Sequence, residues 1–479
     1  MVSTAKPAIR VRFPPSPTGH WHLGGARTAL FNWLFVRKHG GAFILRFEDT
    51  DLERSAKEFE TEIAEAMAWL GLNWDEGPDK GDYGPYRQSE RLPIYRKYLE
   101  QLLADGRAYY CYCTKEELEA ERQALTAEGL PPKYGGHCRN LTASPTGKLP
   151  QAIRFKTPET EIEFKDLIRG TVKFDMGLVG DMVIARHLDS PLYNFAVAVD
   201  DELMGITHVI RGEEHLSNTP KQILIQRALN FREPQYAHLP LILAPDRKKL
   251  SKRYTETSLL KYRDEGYLPE AIMNFLALLG WHPSHDQEVF SQAELVKEFD
   301  LKRAQKAGAI FDEHKLNWLN REHIKLLSND ELKERLRPFL KEEHLQMPNG
   351  QLDKLVSLGR ERLDRLSEFP EQTEFFFSLP DYAPELLLWK NDLPATTQTI
   401  LKKIQAALSE LTDLDRQKVM EVLAGIEEEY GRGSVLWPLR VAVSGLRASP
   451  DPIQIVEVLE KEETLRRLTL ALAKLASIL

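Results

Sequence analysis

Cysteine is almost missing: the 479-residue chain has three, Cys111, Cys113 and Cys138. So few cannot form a disulfide framework, and a chain of this length buries enough surface without one. Their confinement to one short region points instead to a reducing compartment, or to a metal. A basic excess is missing too. Lys plus Arg is 64 against 72 for Asp plus Glu, a formal net charge of −8. Bulk charge therefore gives no argument for nucleic acid, although a local basic stripe remains open. No run approaches the roughly 18 apolar residues of a membrane span. The opening MVSTAKPAIRVRFPPSPTG, broken by prolines, lacks the apolar core of a signal peptide. Neither the GxGxxG nor the GxxxxGKS/T phosphate loop occurs, and there is no internal repeat, heptad or low-complexity tract.

What remains is 42% hydrophobic and 28% charged, the composition of a packed globular protein of two to four domains. Ile9, Val11 and Phe13 alternate as a half-buried strand, ended by PPSPTG. From Gly24, GGARTALFNWLFVRKHG reads as a helix closing on Gly40 and Gly41. A second strand, AFILRFEDTD, follows, then an amphipathic helix marked by Phe59, Ile63, Met67 and Leu70. This order predicts a parallel sheet with helical crossovers. Residues from about 90 to 190 hold short alternating runs, read as antiparallel strands inserted into that fold. YNFAVAVDDELMGITHVIRGEEH is expected to resume the first sheet as long apolar strands. Beyond about residue 255 nearly everything reads as helix, with Ser328 and Glu331 at capping-box spacing.

Two segments carry the chemistry. Ser16-Pro17-Thr18-Gly19-His20-Trp21-His22-Leu23-Gly24-Gly25 lies at a strand-to-helix junction. Its glycines let a ligand approach a helix N-terminus, where free N–H groups favour a phosphate, unless the segment is only a tight turn. Lys249-Leu250-Ser251-Lys252-Arg253 follows the apolar LPLILAPD in a basic run. It reads as a loop that neutralises departing pyrophosphate, or as a solvated charged face.

Taken together the two resemble known signatures. His22-Leu23-Gly24-Gly25 looks like the HIGH motif of class I aminoacyl-tRNA synthetases, and Lys249 to Arg253 looks like their KMSKS loop. PSPTG, RTAL, ILRFEDTD, GPYRQSERL, VIRGEEH and KLSKR narrow the resemblance to the bacterial-type glutamyl-tRNA synthetase family. Phe47-Glu48-Asp49-Thr50-Asp51 favours the glutamyl over the glutaminyl branch. Three positions depart from other members: Gly25 ends the HIGH motif, Val197 stands where some carry Asn, and His215 replaces a Trp.

The resemblance implies a Rossmann-like α/β catalytic domain with an inserted α+β domain, then an all-helical anticodon-binding region. The implied division is 1–90 and 191–250 for the two catalytic halves, 91–190 for the acceptor-binding insertion, 251–325 for the KMSKS loop and stem-contact helices, and 326–479 for the anticodon part. It also implies ATP-dependent activation of L-glutamate, with Mg²⁺ accompanying the ATP. Transfer would go to the 3′ end of tRNA(Glu), with tRNA(Gln) as a second candidate acceptor. His22, Lys249 and Lys252 would stabilise the phosphates. Gly24 and Gly25 would make room for ATP, which Glu214, Leu250 and Ser251 also line. Arg12 and Arg211 would take the carboxylates, Glu48 the ammonium, and Ser16 and Tyr193 would add neutral hydrogen bonds. All of these are expected after strands, where open α/β sheets hold ligands. Asp51, Asp200 and Asp201 are expected near strand ends by the tRNA acceptor end, with capping or structural hydrogen bonding as the alternative.

Cys111, Cys113, Tyr134 and Cys138 resemble the zinc site of some members, with Asn140 where others offer His or Asp; ordinary small hydrophobes are the alternative. A cytoplasmic monomer with no membrane contact is expected. A glutamyl transferase to a modified tRNA base shares the catalytic motifs but ends some 200 residues earlier. A non-catalytic paralogue would have no need of His22, Lys249 and Lys252.

Overall fold

The alternation from Ile9 becomes strand β1 (Ile9–Phe13), and the helix read from Gly24 becomes α1 (Leu23–His39). Leu30, Phe31, Leu34, Phe35 and Val36 are all buried, so α1 is an interior helix rather than a surface one. It ends at Gly40, whose φ of +68° suits glycine, and β2 (Gly41–Leu45) returns parallel to β1 with Arg12 opposite Ile44. The second strand is shorter than its apolar pattern. Past Leu45 the backbone is satisfied by irregular neighbours, with Phe47 N–H donating to Tyr86 O at 2.9 Å and Glu48 N–H to Pro15 O at 2.9 Å. Helices α2 (Lys57–Trp69), which buries Ile63 and Met67, and α3 (Leu92–Ala104) follow. The structure, a computed structural model, describes residues 8–51, 53–248 and 257–479.

The inserted stretch holds β3 (Ala108–Cys111), α4 (Lys115–Ala127), β4 (Ala152–Phe155), β5 (Glu161–Asp166), β6 (Gly170–Asp175) and β7 (Val183–Ala185). Strands β3, β4 and β7 form one antiparallel sheet. β5 and β6 form an antiparallel hairpin in which Ile162, Phe164 and Asp166 face inward.

Tyr193–Leu203 is a helix, α5, and not the strand expected there. A continuous apolar run such as FAVAV carries no period, and here it is buried on every side in a helix. Strand β8 (His208–Gly212), α6 (Thr219–Ala228) and β9 (Gln235–Leu239) then complete a βαβ unit, with Arg211 opposite His238. β9 also pairs in parallel with the end of β5 at Asp166, giving the order β6–β5–β9–β8. β1 lies beside β8, tied by Thr207 N–H to Arg10 O at 2.9 Å and Arg10 N–H to Thr207 Oγ1 at 2.9 Å. Phe31, Phe43 and Phe195 are fully buried in this unit, each worth about 1.5–3 kcal/mol.

This first unit runs to Arg263 and includes Leu268–Leu319. A second unit combines Asp264–Tyr267 with Asn320–Leu479 and is helical. In it, Ser328 and Glu331 cap the helix Asn329–Leu336 reciprocally, as their spacing predicts. Arg467 is fully buried there, donating to Phe375 O at 2.8 Å and Phe376 O at 2.9 Å.

Candidate active site

A cavity of about 690 Å³ opens beyond the carboxyl ends of β1 and β8, and its wall includes Ser16, His22, Gly24, Gly25, Glu48, Tyr193, Arg211 and Glu214. The sheet itself explains the gathering. Parallel strands deliver their C-terminal loops to one edge, and α1 points its N-terminus there. His22 is the N-cap of α1 and accepts from Gly24 N–H through Nδ1 at 3.1 Å. Burial holds its pKa below the ordinary value, so the neutral ring carries its proton on Nε2 as a donor. A Cβ on Gly25 would stand 2.5 Å from Trp21 Nε1, and one on Gly24 would stand 3.0 Å from His22 Cε1. The glycines thus admit these two rings as well as a ligand.

Beneath the cavity lies a buried charge cluster. Arg46 is fully buried and donates to Asp201 at 2.8 Å and Glu48 at 3.1 Å, with Asp200 at 3.7 Å. Asp201 also accepts from Arg12 Nε at 3.2 Å. Asp200 accepts from Arg91 at 2.7 Å, Gln88 at 2.8 Å and Tyr95 at 2.8 Å. Three arginines thereby meet three carboxylates. Burial alone would raise the Asp201 carboxyl, but Arg12 and Arg46 outweigh it and hold the group below its usual range. At Glu48 burial wins over Arg46 and Arg12, and the carboxyl is raised. Asp200 and Asp201 therefore sit inside helix α5, not near strand ends, and at 0% and 3% exposure their oxygens face arginines. That is the structural hydrogen-bonding alternative. Asp51 differs, being a partly exposed carboxylate that accepts from Arg54 Nε at 2.7 Å.

Four guanidinium nitrogens in this region are buried without a hydrogen-bond partner: Arg27 Nε, Arg46 Nε, and the terminal Nη1 groups of Arg12 and Arg211. Arg12 lies behind the cavity wall with 1% exposure, whereas Arg211 is part of the wall. The other nitrogens of Arg211 are held, Nε by His238 Nε2 at 3.2 Å and Nη2 by Thr219 Oγ1 at 2.8 Å. Tyr193 is the first residue of α5 and does not follow a strand directly. Its hydroxyl lies 3.1 Å from His215 Nδ1, to which Asn218 Nδ2 is also close at 3.3 Å. Burial, reinforced by Arg211 and Arg12, pushes His215 down to about 4, so it is neutral. Lys249, Leu250, Ser251 and Lys252 lie outside the described residues.

Sequence reasoning passed over Arg46, Asp166, Thr219 and His238. Arg46 had a signal: a charge inside the apolar FILRF run must be paired if it is buried. A lone histidine in YAHLPLIL offered none beyond its apolar setting.

Away from the cavity, the sulfurs of Cys111, Cys113 and Cys138 lie within 4.8 Å of one another, with Cys113 and Cys138 at 3.6 Å. Tyr134 Oη is 3.6 Å from the sulfurs of Cys111 and Cys113. A tetrahedral zinc with bonds of about 2.3 Å needs sulfur edges of about 3.8 Å, so this donor set fits. Burial and the neighbouring sulfurs push the Cys113 thiol up to about 12, a cost that a dication among the sulfurs removes.

The chain was compared with known proteins. Residues 8–318 match the family of class I tRNA synthetases (E and Q), catalytic domain, and residues 331–472 match an anticodon binding domain. A glutamate–tRNA ligase of Caldicellulosiruptor saccharolyticus is 46% identical over 480 residues, covering 96% of this chain and 98% of that protein. One from Sulfurihydrogenibium is 46% identical over 473 residues, again with 96% and 98% covered. Among solved structures, the glutamate tRNA ligase of Elizabethkingia meningosepticum in complex with its amino acid superposes with a TM-score of 0.88. It shares 36% identity, over 98% of this chain and 99% of that one.

Proposed function

The chain belongs to the glutamate–tRNA ligase family, and from that premise we propose how its own residues carry out the reaction. The ligase joins L-glutamate to tRNA at the expense of ATP. In the first step a glutamate carboxylate oxygen forms a bond to the α-phosphorus, the bridging P–O bond breaks, and pyrophosphate leaves. Positioning and charge stabilisation dominate such a step, since little covalent work falls to the protein. His22, a neutral Nε2–H donor at the N-terminus of α1, and the N–H groups behind it stabilise the phosphates. Lys249 and Lys252 add the positive charge that pyrophosphate departure requires, and Mg²⁺ enters with the ATP. Leu250, Ser251 and Glu214 complete the nucleotide site. A terminal ribose hydroxyl of tRNA(Glu) then takes the acyl group.

One observation carries the amino-acid assignment. Of the buried guanidinium nitrogens there without a protein partner, two are terminal Nη1 groups, on Arg12 and Arg211, and a buried carboxylate, Glu48, lies in the same region. Glutamate brings two carboxylates and one ammonium, the complement of that set. Ser16 and Tyr193 supply neutral contacts. Asp51, partly exposed, is the acidic residue we assign to the acceptor end. Zinc held by Cys111, Cys113, Cys138 and Tyr134 would pin the end of β3 to the loop carrying Cys138, a structural role outside the cavity. Among the described residues no helix is long and apolar enough to cross a membrane, and we propose a cytoplasmic monomer. Pyrophosphate exchange with glutamate, with and without tRNA, followed by charging of tRNA(Glu) and tRNA(Gln), tests the reading. Glutamate-dependent exchange is expected, and equal exchange with glutamine would overturn the arginine assignments.

A further inference from the structure

We propose that Asp166 and His238 form a positioning pair that sets which edge of Arg211 faces the amino-acid pocket. The proposal rests on the reading of the cavity as a glutamate site. Arg211 and His238 are register partners on β8 and β9, and Asp166 closes β5 where it meets β9. All three are buried, at 4%, 0% and 2% exposure.

Asp166 divides its oxygens between two tasks. Oδ1 accepts the backbone N–H groups of Ile168 at 2.9 Å, Arg169 at 2.7 Å and His238 at 3.4 Å. Oδ2 lies 2.7 Å from His238 Nδ1. A carboxylate only accepts, so the imidazole proton sits on Nδ1 and Nε2 keeps a lone pair. That lone pair faces the Nε–H of Arg211 at 3.2 Å and the Thr219 hydroxyl at 3.1 Å, while Thr219 Oγ1 takes the Nη2–H of Arg211 at 2.8 Å. One edge of the guanidinium is thus tied down, and Nη1 remains for a ligand. A charged His238 would place a proton and a positive charge against Arg211. Burial is the main reason that His238 titrates below its ordinary value, with Asp166 opposing and Arg211 reinforcing.

The pair acts through Arg211 and touches no substrate, so it is a positioning pair. The same logic governs metal-bound histidines, whose free nitrogen is oriented by a carboxylate behind it. Here the group being aimed is a guanidinium.

Asp166→Asn tests this almost without change of shape. The three backbone N–H groups hold the amide oxygen at the Oδ1 position, so the NH₂ group replaces Oδ2 and donates to Nδ1. The imidazole proton must then move to Nε2, where Thr219 Oγ1 at 3.1 Å can accept it but the Nε–H of Arg211 loses its acceptor and meets a donor instead. KM for glutamate in pyrophosphate exchange with tRNA present should rise roughly 10- to 100-fold. KM for ATP should change by less than about threefold, because a general loss of structure would move both. His238→Phe should behave like Asp166→Asn. His238→Gln, whose amide oxygen can stand near the Nε2 position and accept from Arg211, should recover at least about tenfold of the loss. Each variant is assayed at a temperature where circular dichroism shows it folded. An unchanged KM for glutamate, equal rises for glutamate and ATP, or no difference between Gln and Phe at position 238 would overturn the pair. Wild-type protein lacking glutamate-dependent exchange would sink the reading of the cavity and the pair with it. Glutamate-dependent exchange indifferent to Asp166→Asn would sink the pair alone.

Discussion

Replacing Arg46 by methionine should destabilise the larger unit by about 3–5 kcal/mol near pH 8 and by markedly less near pH 5. The guanidinium is fully buried and faces three carboxylates, Asp201 at 2.8 Å, Glu48 at 3.1 Å and Asp200 at 3.7 Å. Methionine fills much of the volume but supplies no charge, leaving those carboxylates with Arg12 and Arg91 alone. Removing one partner of a buried ion pair typically costs about 3–5 kcal/mol, a large share of the 5–15 kcal/mol of a whole domain. The pH signature follows from the shifts. Asp201 is depressed in the native protein, because Arg12 and Arg46 outweigh its burial. Its stabilisation is therefore present above the unfolded carboxyl pKa of about 4 and lost as pH falls through the folded value. Glu48 is already raised by burial, and without Arg46 it rises further. A raised carboxyl favours the fold below its unfolded pKa and loses that contribution as pH rises. The Asp201 effect falls below about pH 4, so it is the Glu48 effect that widens the gap between variant and wild type from about pH 5 to about pH 8. Urea unfolding of the two proteins side by side at both pH values measures the gap. A gap under about 1 kcal/mol, or one that is the same at both pH values, would refute the reasoning.

Other perturbations separate the remaining roles. Lys252→Ala should slow adenylate formation by about 100- to 1,000-fold with little change in KM for glutamate, as read by single-turnover kinetics. Arg211→Ala and Glu48→Gln should each raise KM for glutamate by about tenfold or more, because each leaves a substrate charge unpaired in a partly dry site. Protein purified without chelator should carry one zinc per chain by metal analysis. Cys113→Ser should then lower the melting temperature without changing KM for ATP, and a metal-free wild type would count against the site. A fragment ending near residue 325 should still bind ATP and glutamate but lose most tRNA affinity, with a flatter salt dependence. Full-rate, fully specific charging by that fragment would assign the helical half another task.

The elements that were legible in the sequence are those with a period or a punctuation mark. β1 alternates, α1 is bounded by His22 and Gly40, and the cap at Ser328 is written in its spacing to Glu331. α5 was misread because FAVAV is apolar at every position, and a run without period fits a strand or a buried helix equally. The cavity residues were legible through motifs, yet their grouping depends on parallel strands ending at one edge. The support beneath them was not. Arg46, Asp166 and His238 act through partners between 2 and 155 residues away in sequence, and no local pattern records such pairings.

The β5–β6 hairpin bears on how this protein can be recombined with its relatives. In sequence it belongs to the insertion, but in space its strand β5 continues the sheet of β8 and β9. A chimaera that exchanges residues 91–190 as a cassette would carry Asp166 away from its native His238, and compatibility would depend on whether the donor supplies an acceptor at the same register. Cross-over points placed to exchange β3, β4 and β7 together, and to leave Glu161–Asp175 with the recipient, would respect both sheets. The border between modules here runs through the middle of the inserted stretch, so cassette design from linear boundaries would cut a sheet in two.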